Sequence, residues 1–382
     1  MNLSYEFDKH IIIMTDGISK TTSSNIIDNI KSFFKNSEMP NRLVFHCHGG
    51  LVEHTKAVEN AHRKIPIFLE NGIYPIFFVW HSGFLETLCQ QFHEIIKEIQ
   101  TDNLEELIAY SVKTHNKGDE MKEIWDEMKK HAEKVFNDNG AGWSFFKSLE
   151  KISFEFELHL IGHSAGAIVL ATLLKQIFEK EVDMSDISKF TCSLYAPACT
   201  IDLFEETYVK AFDHNIFNNF FLYTLSNELE LKDTCEKDGI TVYHHSLLYL
   251  VSRFFEAKYQ RNLLLYLVTQ FFEIGQSEEI LGLQIYANKN SSLHRLIESK
   301  RGAWVISDEN NQPSYFETTS GKLELISRSK HHGGFADDAA TLNTTMRTIL
   351  NSNQLVKEFS KSTFAHNPRM EMNTFTNTIN HK

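Results

Sequence analysis

The sequence contains a serine whose neighbours are typical of a catalytic nucleophile. Gly162, His163, Ser164, Ala165 and Gly166 form a G-x-S-x-G pattern, preceded by an apolar run and followed by an amphipathic segment. Such a pattern marks a sharp strand-turn-helix junction, where the small residues let the backbone pack closely and leave the hydroxyl accessible. The amino end of the following helix favours negative charge that develops nearby. The pattern therefore predicts a nucleophilic serine that attacks a carbonyl group.

A second glycine-rich turn lies upstream and can supply hydrogen bonds to such a reaction. His48, Gly49 and Gly50 follow an apolar run at 42–46. A turn of this kind can aim a backbone amide at an oxyanion, together with the amide of the residue after the nucleophile. We therefore predict an oxyanion hole formed by Gly49, Gly50 and Ala165, with a tight surface turn as the alternative.

A nucleophilic serine needs a general base. Hydrolases with this elbow place a histidine late in the chain, after an acidic residue. The late candidates are His331 and His332, which precede a pair of glycines in a segment that predicts a loop. We prefer His332, because it lies directly against the glycine pair.

The same late segment also suggests a metal site. Its ligands would be His331, His332, Asp337 and Asp338. Their spacing fits no standard ligand motif. We therefore do not expect a metal site in this segment.

The acid that orients the base should follow the apolar run at 219–225. The candidates there are Glu228, Glu230 and Asp233. An acid in this role fixes the histidine tautomer and stabilises the imidazolium. The residues alone leave the choice among the three open, because any of them can be a solvated surface charge.

Strands and helices alternate along much of the chain. The apolar runs predicted as strands are 42–46, 74–80, 157–161, 190–195 and 219–225. Most lack strict alternation of apolar and polar residues, as expected of strands covered on both faces. Helical patterns fall at 55–71 and 165–179. This order predicts an α/β fold with a mostly parallel central sheet and helices on both faces.

Two long segments interrupt that rhythm. Residues 84–139 and 234–276 are predicted as helical insertions, which either cover the carboxyl edge of the sheet or simply pack against it. We find no repeat or low-complexity linker, so we predict one domain over 1–350. Residues 351–382 predict a surface helix and a loose tail.

Composition excludes several classes of protein. The 382 residues carry a net charge of −12, which offers no basic surface for nucleic acid. The five cysteines are scattered without a CxxC pair, so a disulfide framework or zinc ribbon is not expected. The chain shows no secretory signal pattern and no apolar stretch long enough to span a bilayer. We expect a soluble, cytoplasmic protein.

Taken together, these segments resemble the α/β-hydrolase superfamily and, within it, a bacterial group of uncharacterised serine hydrolases. The matching segments are HGGLVEH, YPIFFVWHSGFLETL, HLIGHSAG, YAPACTIDLF, HHSLLYLVS and HHGGFADD, spread over about residues 42 to 345. In that group the acid-bearing segment runs L-T-D-x-x-E-x-D-D, whereas this chain reads L-S-N-E-L-E-L-K-D. Asn227 therefore stands where the group has an aspartate, while Glu230 and Asp233 match. The resemblance implies Asp233 as the acid and His332 as the base.

The activity that the resemblance implies is hydrolysis of an ester-type acyl bond through an acyl-enzyme on Ser164, as in esterases and lipases, without a metal ion or an organic cofactor. The expected substrate is a small-molecule or lipid-like acyl compound, since the insertions are rich in phenylalanine. An acyltransferase at the same site is one alternative. A non-catalytic binding module that keeps the hydrolase fold is another, because Asn227 replaces an expected acid.

Overall fold

The structure is a computed structural model of the chain. It describes residues 7–19, 23–37, 40–50, 52, 54–80, 117–237, 240–256, 277–310, 312–319 and 321–364. Among these residues, no helix is both long enough and apolar enough to cross a membrane.

An eight-stranded, mostly parallel sheet organises the described residues. Its members, in chain order, are β1 (Ile11–Thr15), β2 (Ile18–Ser19), β3 (Arg42–Cys47), β4 (Ile73–Trp80), β5 (Phe156–His163), β6 (Ile187–Tyr195), β7 (Asn219–Leu225) and, after two strands outside the sheet, β10 (Gly302–Ser307). Their spatial order is β10-β7-β6-β5-β3-β4-β1-β2, and only the short edge strand β2 runs antiparallel to its neighbour. Two antiparallel pairs stand apart from it, β8 (Cys235–Lys237) with β9 (Ile240–Tyr243) and β11 (Ser314–Thr318) with β12 (Gly321–Leu325).

Helices occupy both faces of this sheet. They are α1 (Ser23–Lys35), α2 (His54–Glu70), α3 (Lys117–Phe136), α4 (Ala141–Ser148), α5 (Gly166–Glu179), α6 (Ile201–Phe204), α7 (Lys210–Asp213), α8 (Asn227–Lys232), α9 (Leu247–Leu250), α10 (Gln284–Ala287), α11 (Ser291–Glu298), α12 (Ala339–Leu350) and α13 (Lys361–Phe364). On one face, Phe45 of β3 packs 5.8 Å from Phe145 of α4, measured between ring centroids. On the other face, the Tyr195 hydroxyl of β6 donates to Thr345 of α12 at 2.6 Å. Because both faces are covered, every residue of β3 and β4 is buried, which explains their nearly continuous apolar sequences.

The α/β architecture and the five predicted strands are confirmed. Each predicted apolar run lies within a strand, and helices α2 and α5 begin and end within one residue of their predicted bounds. The sequence patterns do not predict strand β1, the edge strands β2 and β10, or helices α1 and α12.

The predicted insertions need correction. The block at 234–276 does not begin as a helix but as the antiparallel pair β8–β9, followed by α9 and a π-helical turn over Val251–Phe255. Helix α3 falls within the predicted insertion at 84–139, whereas residues 81–116 and 257–276 lie outside the described residues. The predicted C-terminal surface helix is only the four residues of α13, and 365–382 also lie outside the described part.

Candidate active site

The G-x-S-x-G segment forms a sharp turn between β5 and α5. Ser164 has φ of 53°, a left-handed conformation that non-glycine residues rarely adopt. The neighbouring chain holds it there, because the Ser164 N–H donates to the carbonyl of Tyr195 at 2.9 Å. The Ser164 carbonyl in turn accepts the N–H of Ala198 at 3.1 Å. The strained serine is therefore fixed from both sides of its peptide backbone.

The two glycines of the pattern lie close to neighbouring atoms at the turn. A Cβ atom at Gly166 would overlap the carbonyl oxygen of Cys47 at the end of β3. A Cβ atom at Gly162 would lie 2.9 Å from Leu170 Cδ1 in α5. The contact at Gly166 is with backbone, so only glycine lets α5 approach β3 in this way, whereas the end of the Leu170 side chain can move away from Gly162.

The candidate base meets the candidate nucleophile. His332 Nε2 lies 2.9 Å from Ser164 Oγ, although 168 residues separate the two in the chain. Both residues are nearly inaccessible, with 6% and 3% of their surfaces exposed. His332 begins a 3₁₀ turn over His332–Ala336, and its carbonyl accepts the N–H of His163 Nε2 at 3.1 Å. The distance allows a proton to pass directly from the serine to the imidazole.

The candidate acid contacts the base through the backbone. Asp233 Oδ2 accepts the main-chain N–H of His332 at 2.7 Å, and its Oδ1 accepts the N–H of Thr234 at 2.8 Å. Among the described residues, no group forms a hydrogen bond with His332 Nδ1, which is buried. Asp233 thus contacts the backbone amide of His332 and not its imidazole ring.

The other acid candidates lie in different surroundings. Glu228 is exposed and pairs with Lys232 at 2.7 Å. Glu230 is fully buried, and neither carboxyl oxygen has a hydrogen-bond partner among the residues that the structure describes. Asn227 accepts a hydrogen bond from the Tyr249 hydroxyl at 2.6 Å. None of these three side chains forms a described hydrogen bond with His332.

The environment of Glu230 favours its neutral form. Burial raises the pKa of its carboxyl to about 8. The Ser246 side chain acts to lower this pKa, and the negative charge of nearby Asp233 acts to raise it. A carboxylic acid without hydrogen-bond partners is far less costly to bury than a carboxylate. Glu230 is therefore mostly protonated at neutral pH.

The glycine-rich turn after β3 lies directly against the elbow. A Cβ atom at Gly49 would be 3.1 Å from Ser164 Cβ, and one at Gly50 would be 3.2 Å from Ala165 Cβ. The amide of Ala165, at the N-cap of α5, precedes the first helical turn, so the helix supplies it with no acceptor. The three residues predicted to form an oxyanion hole therefore lie together beside the serine.

His48 fixes the orientation of this turn. The backbone N–H of Trp80 donates to His48 Nε2 at 3.3 Å, so the ring proton sits on Nδ1, which donates to the Gly49 carbonyl at 2.7 Å. In a trans peptide the next N–H points the opposite way, so the Gly50 N–H points away from the His48 ring. The Trp80 indole N–H also donates to the His48 carbonyl at 3.2 Å.

Buried histidines form a largely neutral cluster behind the elbow. His46, His48 and His163 line a cavity of about 20 Å³, room for about one water molecule, together with the buried Lys64. Burial, joined by the positive charge of Lys64, lowers the pKa of His48 and of His163 to about 4 and that of His46 well below its ordinary range. Burial also lowers the pKa of Lys64 to about 8.

Burial also acts on the candidate base, His332. Burial, with smaller contributions from His163 and His331, lowers the pKa of His332 well below its usual range. Its imidazole is therefore neutral at neutral pH, the form that can accept a proton from Ser164. The motifs do not predict the roles of His48 and His163, although both residues lie within them.

The residues of the metal alternative are used differently. The Asp338 carboxylate caps α12, accepting the N–H groups of Ala340 and Thr341, and it also accepts the N–H of Arg328 at 2.8 Å. His331 is exposed, in contrast to its buried neighbour. Within the described ranges, no group of three or more histidine, cysteine or acidic side chains is arranged to hold a metal ion.

The geometry thus unites a strained serine, a neutral histidine and a glycine turn at the carboxyl ends of β3 and β5. No protein-family model matches the chain, and no curated protein matches it. What the site can do must therefore be derived from its own residues.

Proposed function

We propose that the protein is a serine hydrolase of the α/β-hydrolase type, which cleaves an ester-type acyl bond through an acyl-enzyme on Ser164. The mostly parallel sheet and the strand-turn-helix elbow support this fold type. The chain order of Ser164, Asp233 and His332 is also the order that such hydrolases use.

One observation carries the proposal. Ser164 Oγ and His332 Nε2 are 2.9 Å apart, at an elbow whose serine has a positive φ. A strained backbone is maintained only where surrounding contacts enforce it, and such strain clusters at functional sites. A serine next to a neutral imidazole is the arrangement that activates the hydroxyl as a nucleophile.

The residues define the steps of the reaction. Ser164 Oγ attacks the substrate carbonyl carbon while its proton passes to His332 Nε2, and the carbonyl oxygen becomes an oxyanion. The amides of Ala165 and of the Gly49–Gly50 turn are the donors for that oxyanion. The tetrahedral intermediate collapses, His332 protonates the departing alkoxide, and an acyl ester remains on Ser164. His332 then takes a proton from water, which attacks the ester, and as the carboxylic acid leaves, His332 returns this proton to Ser164 Oγ.

Asp233 stabilises the charged form of the base. When His332 accepts the serine proton it becomes an imidazolium in a buried site, where a lone positive charge is costly. The Asp233 carboxylate, bound to the backbone N–H of the same residue, supplies the opposite charge. It also positions the turn that carries the ring.

Hydrolysis of p-nitrophenyl esters tests the proposal. Wild-type protein should release p-nitrophenol from acyl chains of graded length, with medium chains turned over better than short ones if the substrate is lipid-like. Ser164→Ala should abolish the activity, whereas Ser148→Ala, which removes a buried hydroxyl bound to Phe145 in α4, should retain it. Free acid as the sole product in the presence of an added alcohol would exclude acyl transfer. Activity that survives Ser164→Ala would contradict the proposal.

One observation favours a second candidate, a binding module that keeps the fold without catalysis. His332 Nδ1 is buried without a hydrogen-bond partner among the described residues, so the ring lacks the direct acid contact of a complete triad. If the protein is such a binding module, folded wild-type protein should leave all the p-nitrophenyl esters intact.

A further inference from the structure

A second cavity lies at the amino ends of the central strands, at the opposite end of the sheet from Ser164. Its volume is about 700 Å³, within the range of small-molecule sites, and Arg42, Glu157, Lys189 and Asn219 line it near the beginnings of four parallel strands. Glu157 and His163 lie on the same strand, six residues apart, which places this cavity about 20 Å from the elbow. The inference therefore does not depend on the proposed hydrolase activity.

A row of charges forms the sheet side of this cavity. Arg42, Glu157 and Lys189 are aligned in register on β3, β5 and β6, so their side chains share one face. Glu157 Oε2 accepts a hydrogen bond from Arg42 Nε at 2.9 Å and lies 3.3 Å from His159 Nε2. Burial favours the neutral acid, but His159, Arg42 and Lys189 outweigh it and lower the pKa of Glu157. Its carboxylate is therefore charged and already paired.

The row leaves one positive charge unpaired. No carboxylate of the described residues lies within ion-pair distance of Lys189, and Arg42 Nη1 has no hydrogen-bond partner among them. The other acid of the cavity, Glu317, lies 3.5 Å from Lys300 and 3.6 Å from Lys322. Each carboxylate of the lining thus has a cation of its own, and Lys189 is left for a ligand.

An apolar surface completes the lining. Phe221 of β7 meets Phe316 of β11 edge to face, with ring centroids 5.1 Å apart. Leu323 of β12 and Ile349 of α12 line the same cavity, and both are buried. The strand pair β11–β12 and the end of α12 thus supply apolar contacts near the charged row.

We propose that this cavity binds a small carboxylate with an apolar tail. The anionic group is placed at Lys189, and the tail packs against Phe221, Phe316 and Leu323. Three cations of the lining, Arg42, Lys189 and Lys300, face two carboxylates, and this excess of one positive charge matches a monoanion. A phosphate dianion would bring a second negative charge close to Glu157 and Glu317 and would leave the apolar surface without a partner.

Calorimetric titration with octanoate, below its micelle concentration, tests this proposal. Wild type and Ser164→Ala should bind it equally. Lys189→Gln should weaken binding at least about tenfold, the effect expected for loss of a charge-assisted hydrogen bond. The matched control is Lys300→Gln, which removes a lysine of the same cavity that already has a carboxylate partner, and it should change affinity less than about threefold.

Chain length provides the second measurement. Acetate should bind at least about tenfold more weakly than octanoate, because its single methyl group reaches little of the apolar surface. Circular dichroism and thermal melting should show that each variant is folded. Three results would overturn the proposal: no saturable binding to folded wild type up to about 10 mM octanoate, equal affinity in Lys189→Gln, or equal affinity for acetate and octanoate.

Discussion

The buried histidines make the stability of this protein sensitive to mild acid. Burial lowers the pKa of His10, His48, His159 and His163 to about 4 each, while in the unfolded chain they return to about 6.5. Between these two values the unfolded state binds more protons than the folded state, so the free energy of unfolding falls as the pH falls. At about pH 5.5, each histidine should lower it by about 1.4 kcal/mol relative to pH 7.5.

Glu230 opposes this effect, and the magnitudes decide the outcome. Its pKa of about 8 in the folded protein lies above the ordinary value of 4.5, so protonation on acidification stabilises the folded state. Between pH 7.5 and 5.5, protonation of Glu230 raises the free energy of unfolding by about 2.5 kcal/mol, whereas the four histidines lower it by about 5.5 kcal/mol. The net loss is about 3 kcal/mol, a large fraction of the usual stability of a domain. His46 and His332, whose pKa values are also lowered by burial, act in the same direction as the four histidines.

Urea denaturation at the two pH values, followed by circular dichroism, measures this loss. His159→Gln should reduce the difference by about 1.4 kcal/mol, because one buried ring no longer titrates. His294→Gln, at an exposed histidine, should leave the difference unchanged. A free energy of unfolding that stays constant or rises from pH 7.5 to 5.5 would refute the reasoning.

Three further predictions concern single residues. Asp233→Asn keeps one oxygen that can accept the His332 N–H but loses the charge and the acceptor of the Thr234 N–H, so kcat should fall about a hundredfold or more in protein that circular dichroism shows to be folded; an unchanged kcat in steady-state ester hydrolysis would show that the carboxylate does not stabilise the imidazolium. Ionisation of Glu230 should lower the free energy of unfolding by about 1.4 kcal/mol for each unit that the pH rises between 5 and 8, and Glu230→Gln should remove this contribution, as measured by denaturation across that range. The same dependence of the free energy of unfolding on pH in Glu230→Gln and wild type would contradict the buried neutral acid. Gly166→Ala should destabilise the protein by about 1–3 kcal/mol in the same assay, because the new methyl group overlaps the carbonyl of Cys47, and unchanged stability would contradict that packing.

The central strands were predictable because strands that are buried on both faces consist mostly of apolar residues. β3 and β4 are buried along their whole length, and their sequences are nearly continuous apolar runs. The edge strand β10 was missed because its residues are only partly buried and its pattern is not distinctive. The pair β8–β9 was predicted as helix, since short segments outside the sheet take their conformation from tertiary contacts that composition does not show.

The candidate nucleophile and base were predictable from local motifs, but their supporting contacts were not. Ser164 follows from the spacing of its glycines, and His332 from its place late in the chain before a glycine pair. The bond from Asp233 to the backbone of His332 depends on how two distant turns meet. The roles of His48 and His163 likewise depend on where the Trp80 amide and the His332 carbonyl point.

Labelling with a fluorophosphonate probe tests whether Ser164 is an activated nucleophile. Intact-mass and peptide mass spectrometry should show one adduct on wild-type protein, located on Ser164, and none on Ser164→Ala. His332→Ala should label far more slowly, whereas His331→Ala, which changes the exposed neighbour, should label at a rate close to wild type. Absence of labelling in folded wild-type protein, or labelling that persists at the same rate in His332→Ala, would contradict the assignment of Ser164 and His332 as nucleophile and base.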